Sequence, residues 1–156
     1  MAQKRKYLIA MPDMAAFSHK YRAAAIDMTQ TYLVMTNPNI ERRVRRQGNG
    51  AETLYFYTEK HLMPDGEKWD TERPISKKQY EKYLLERDTA LSPVHKTKYR
   101  FIFADRRCEI DVYPFSVEKA VLFQYGGEAP LPEEITVLEE VTAQPAYKNR
   151  ALAASQ

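Results

Sequence analysis

Cysteine is almost absent: Cys108 stands alone among 156 residues. One thiol excludes an internal disulfide framework and any cysteine-rich zinc site. Histidine is nearly as scarce, and neither His19 nor His61 has a partner at metal-ligand spacing. No run of ~18 apolar residues occurs, so the sequence offers no membrane-spanning helix. The start, MAQKRKYLIAMPD, is basic but lacks the apolar core of a secretory signal. The serines have no histidine–aspartate pattern, which leaves serine-type nucleophilic catalysis without support. A Gly-rich phosphate loop is missing too. Nor does one sign of charge dominate: 24 Lys and Arg against 21 Asp and Glu leave +3. That balance is too mild to argue for a nucleic-acid binder. Together these absences lead us to expect a cytoplasmic protein with no membrane span.

What is present reads as a globular chain. Hydrophobic residues make up 44% and charged residues 29%, and the length suits one domain, 1–156, with a real core. Turn signals recur at short intervals: Asn37-Pro38-Asn39, Gly48-Asn49-Gly50, Pro64-Asp65-Gly66, Asp105-Arg106-Arg107 and Gly126-Gly127. Between them lie runs rich in β-branched and aromatic residues. We expect strands near 3–10, 29–36, 39–47, 52–63, 67–75, 93–104, 107–113 and 118–125, joined as antiparallel hairpins. Two segments read as helices, 13–27 and 77–88, the second opened by the capping box Ser76…Gln79. A short last helix is expected near 145–153.

Residues two apart on a strand share a face. By that rule Arg43 and Arg45 share a face, as do Lys96, Lys98 and Arg100, and Thr58 with Lys60. Lys68, Asp70 and Glu72 form another set, and Glu109 pairs with Asp111. Opposite the last pair stand Cys108, Ile110 and Val112, an apolar set that assigns the lone thiol to the core. Several strands thus carry one apolar face and one face dense in ions sorted by sign. One reading is an antiparallel sheet with a solvated side. The other is a sheet that closes with the ionic face inward, a cage suited to a polyanion with or without a divalent metal. Arginine grips phosphate oxygens through a planar fork, and lysine acts as a point charge. The carboxylates Asp70, Glu72, Glu109 and Asp111 would hold Mg²⁺ or Mn²⁺, or serve as counter-ions to the cations. An RNA-binding role for Arg42, Arg43, Arg45 and Arg46 lacks a stacking motif among the tyrosines, so nucleic acid is not the expected partner. Trp69 and most tyrosines read as packing.

The ordered motifs resemble the CYTH superfamily, the triphosphate tunnel metalloenzymes. They are Lys6-Tyr7-Leu8-Ile9, Arg43-Val44-Arg45-Arg46, Tyr57-Thr58-Glu59-Lys60, Asp70-Thr71-Glu72, Lys96-Thr97-Lys98, Glu109-Ile110-Asp111 and Val141-Thr142 with Tyr147-Lys148-Asn149. The resemblance implies an α+β fold: an eight-stranded antiparallel barrel, or tunnel, with flanking helices. It also implies a phosphorylated small molecule or polyphosphate as ligand. Carried over by position, the phosphate contacts would be Lys6, Arg43, Arg45, Lys60, Lys96, Lys98 and Arg100. Two departures stand out. The family's first-strand Glu-x-Glu-x-Lys reads Ala2, Lys4 and Lys6 here, and its last-strand Glu-x-Glu reads Gln124-Tyr125-Gly126. A lysine at position 4 repels a metal and attracts phosphate. The resemblance therefore implies anion binding with weak or absent catalysis, against the alternative of an Mg²⁺- or Mn²⁺-dependent triphosphatase. It assigns no catalytic residue.

Overall fold

The structure, a computed structural model, describes residues 4–48 and 52–142. Nine strands and two helices follow in the order β1 (Lys4–Ala10), α1 (Met14–Tyr21), β2 (Ala24–Tyr32), β3 (Ile40–Gln47), β4 (Leu54–Leu62), β5 (Lys68–Ile75), α2 (Lys77–Leu84), β6 (Val94–Phe103), β7 (Arg106–Val112), β8 (Lys119–Tyr125) and β9 (Val137–Glu140). The ladders give one sheet in the order β5-β4-β3-β2-β6-β7-β8-β1-β9, with antiparallel pairing in the ladders of β3, β4, β5, β7, β8 and β9. The architecture is α+β, as expected. It differs from the expected eight-stranded barrel in two respects: there is a ninth strand, and among the described residues no ladder joins β5 to β9. The helix expected near 145–153 lies outside the described residues. Among the described residues no helix is long and apolar enough to cross a membrane.

The described chain falls into two compact units, 4–27 with 96–142, and 28–48 with 52–95. In the first, α1 lies on the apolar face of the strands. Tyr7 and Ile9 of β1, Phe101 of β6, Cys108 and Ile110 of β7 and Leu122 of β8 form its core with Phe17 of α1. Phe17 meets Phe101 edge-on at 5.0 Å between ring centres, a favoured aromatic geometry. In the second unit, Tyr80 of α2 packs with Leu33, Val44, Tyr57 and Ile75.

The first helix is shorter than expected. Asp13 caps its start by accepting from the Ala16 N–H at 3.2 Å. Arg22 ends it in the left-handed region, φ 53°, with a cap bond to the Ser18 carbonyl. The expected helix ran on to 27 because Met14, Phe17, Tyr21 and Ala24 fall at helical spacing. Pairing of the following residues with β3, from Met28↔Gln47 to Tyr32↔Arg43, overrides that local pattern. The β6–β7 hairpin turns through Ala104 and Asp105, both at positive φ (51° and 56°). That is the left-handed pair a two-residue hairpin needs.

Candidate anion-binding site

In the first unit the registers fix which side chains share a face. Lys98 stands opposite Asp111 and Arg100 opposite Glu109. Glu109 stands opposite Phe123, and Lys6 and Lys4 stand opposite Phe123 and Tyr125. The face therefore carries Lys4, Lys6, Lys96, Lys98, Arg100 and Arg107 against Glu109 and Asp111. Glu139 of β9 lies opposite Leu8.

This face is not the solvated side of a sheet. Lys6, Lys96 and Lys98 are 9%, 7% and 9% exposed, Glu109 is 5% exposed, and Asp111 is fully buried. Buried charges persist only when paired, and these are. The Lys96 Nζ lies 2.9 Å from one Asp111 oxygen, and the Lys98 Nζ lies 3.0 Å from the other. Lys98 also donates to Glu109 at 3.1 Å, and the Arg100 Nε donates to the second Glu109 oxygen at 2.9 Å. The Tyr125 hydroxyl completes the set, donating to Glu109 at 2.9 Å. Burial by itself pushes the Glu109 carboxyl up. The Lys98 ammonium, the Tyr125 hydroxyl and the Arg100 guanidinium outweigh it and hold the group below its ordinary range. Burial, then the Glu109 charge, push the Tyr125 phenol up, so it stays a donor. Burial raises the Cys108 thiol to about 11, and Cys108 sits in the core, which leaves it no role as a nucleophile.

The Phe123 ring is the second feature of this face. The ammonium groups of Lys4, Lys6 and Lys98 lie 5.3, 5.4 and 5.3 Å from its centre, within cation–π range. Gln124 points the other way: it stands opposite Cys108 and Arg5, is fully buried, and donates to the Ala129 carbonyl at 2.9 Å. The β8 positions on the ionic face are therefore Phe123 and Tyr125, and neither is a carboxylate. Sequence reasoning left both out of the site. Their alternation with buried Leu122 and Gln124 is the signal that would have found them.

In the second unit Arg43 and Arg45 share a face, with Arg43 opposite Thr58, Thr58 opposite Glu72, and Lys60 opposite Asp70. The Arg45 guanidinium lies 2.8 Å from Glu72 and over the Phe56 ring at 4.7 Å. Buried Thr58 donates to Glu72 at 3.1 Å. Arg43 differs: its Nε is buried and has no hydrogen-bond partner among the described residues. Arg42, next in sequence, belongs to the opposite face. It donates to the Tyr57 hydroxyl, the Val34 carbonyl and Glu86 at 3.0, 3.1 and 3.0 Å. There Tyr57 donates to Glu59 at 2.6 Å, Glu59 pairs with His61, and His61 stacks flat on Trp69 at 4.0 Å. His61 is thus half-buried and partnered. That network commits Arg42 to the face away from Arg43 and Arg45.

A divalent metal needs carboxylate oxygens that are not already committed. Glu109 and Asp111 are committed to three cations and a phenol, and Glu72 to Arg45 and Thr58. Asp70 lies exposed on β5. Among the described residues no group of three or more His, Cys, Asp or Glu could hold a metal ion. The ion pairs of Glu72, Glu109 and Asp111 with arginine and lysine work against Mg²⁺ or Mn²⁺ binding within either unit.

No protein-family model matches the chain, and neither does any curated protein. Solved structures do. The crystal structure of the inorganic triphosphatase NE1496 is 28% identical, with a TM-score of 0.68, over 100% of this chain and 96% of that one. A second structure of NE1496 gives 28% and 0.67. The PH1819 protein from Pyrococcus horikoshii OT3 shares the fold at 12% identity and a TM-score of 0.53, over 81% of this chain and 80% of that one. The full-length likeness to an inorganic triphosphatase supports the resemblance of this chain to the CYTH superfamily that its ordered strand motifs carry.

Proposed function

We propose that the chain acts as one CYTH domain that holds a triphosphate or related polyphosphate in a basic tunnel, with little or no turnover. The phosphate contacts of this reading are those the resemblance implies: Lys6, Arg43, Arg45, Lys60, Lys96, Lys98 and Arg100. One observation carries this reading: Lys6, Lys96 and Lys98 are withdrawn from water on a face where cations outnumber carboxylates. Such an excess is costly in an empty protein and is relieved by an anion. Turnover is a separate matter. Metal-assisted phosphoryl transfer needs a cation to stabilise charge that develops on the phosphate, and three of the four carboxylates that would hold one, Glu72, Glu109 and Asp111, are paired with lysine or arginine.

The likeness to an inorganic triphosphatase supports a second reading, hydrolysis of inorganic or organic triphosphates with Mg²⁺ or Mn²⁺. One experiment separates the two. Thermal unfolding and phosphate release are measured with tripolyphosphate, with and without each metal. Ligand at about 100 times its dissociation constant is expected to add about 2.7 kcal/mol of stability, with no release above background. Metal-dependent release would favour the second reading, and the absence of any stabilisation would overturn both.

A further inference from the structure

Three ammonium groups share one aromatic ring in the first unit. Lys4 and Lys6 reach Phe123 from β1 and Lys98 reaches it from β6, all at 5.3–5.4 Å from the ring centre. The ring attracts cations through its π face but supplies no negative charge and no oxygen. Nearest in register, Glu109 already accepts from Lys98, Arg100 and Tyr125, and Asp111 is ion-paired with Lys96 and Lys98. A hard divalent ion brought here would have to displace ammonium groups from the carboxylate oxygens and would meet several positive neighbours.

We propose that the lysine cluster around Phe123 takes the place of a divalent cation, so that the site selects metal-free polyphosphate over its Mg²⁺ chelate. The inference rests on the polyphosphate reading above and adds the ionic form of the ligand. Free tripolyphosphate presents bare oxygens that accept directly from ammonium groups, with the shorter and stronger bonds of charged partners. The chelate carries two fewer negative charges, has some of those oxygens occupied, and brings a tightly held water shell. Lys4 is the residue that decides the preference. It is exposed and its contact is with the ring, so its charge can be changed without stranding a buried partner.

The test is calorimetric titration of the protein with sodium tripolyphosphate at constant ionic strength, in chelator and then in excess Mg²⁺. Affinity is expected to fall at least tenfold in Mg²⁺. An affinity that is unchanged or raised by Mg²⁺ would overturn the inference and leave the polyphosphate reading standing. No binding in either condition would overturn that reading, and this inference with it. In Lys4→Glu the Mg²⁺ penalty is expected to vanish or reverse, and in Lys4→Gln to shrink. A penalty of wild-type size in both variants would remove Lys4 as its source.

Discussion

Replacing Lys96 with methionine is expected to lower the unfolding free energy by about 3 kcal/mol. The aliphatic stem is kept, so packing changes little and the loss is electrostatic. Asp111 is fully buried, and its two oxygens are answered by Lys96 at 2.9 Å and Lys98 at 3.0 Å. Removing one ammonium leaves a buried carboxylate half-compensated, the arrangement that is most expensive in a low-dielectric interior. The remaining Lys98 contact keeps the loss at the lower end of the range for broken buried pairs. For a chain of this size the melting temperature should fall by roughly 6–12 °C. The double variant Lys96→Met with Asp111→Leu removes both charges and is expected to recover at least half of the loss. A single-variant loss under about 1 kcal/mol would show that water reaches Asp111.

Arg43→Met should behave in the opposite way. The Arg43 Nε is buried without a hydrogen-bond partner, and such an orphaned donor costs about 1–3 kcal/mol. Removing the guanidinium should leave the ligand-free protein as stable as before, or more stable. Its affinity for tripolyphosphate should fall by about 2 kcal/mol, roughly 30-fold, the worth of a charge-assisted hydrogen bond. Denaturant unfolding and calorimetry on the same sample read both quantities. Arg42→Met is the control: it breaks three hydrogen bonds on the opposite face and should lose stability without losing affinity. A stability loss in Arg43→Met with unchanged affinity would make Arg43 a structural residue.

The contrast between Arg42 and Arg43 marks the limit of what the sequence disclosed. Period-2 parity put Lys96, Lys98 and Arg100 on one face and Glu109 with Asp111 on another, and the β6–β7 register brings those faces together. Parity survives errors at strand ends, because shifting an end by a residue changes no side chain's face. It could not say that the charged face is buried, since burial depends on contacts remote in sequence. Nor could it show the lysine cluster, which arises from the β1–β8 register that aligns Lys6 with Phe123. The first helix overran because its stop is a left-handed arginine, Arg22, where a glycine would have announced it. β9 went unseen because Val-Leu-Glu-Glu is short, exposed along its length and without alternation. It is a strand because β1 offers it an edge.

The claim at the centre, that buried ammonium groups are the phosphate contacts, is open to direct observation. Lysine ammonium resonances can be followed by ¹H–¹⁵N NMR during titration with tripolyphosphate at constant ionic strength. The resonances of Lys6, Lys60, Lys96 and Lys98 should shift together along one saturating curve, while Lys77 and Lys78 of α2, both exposed, should stay in place. Saturating shifts confined to exposed lysines, with Lys96 and Lys98 unmoved, would contradict it.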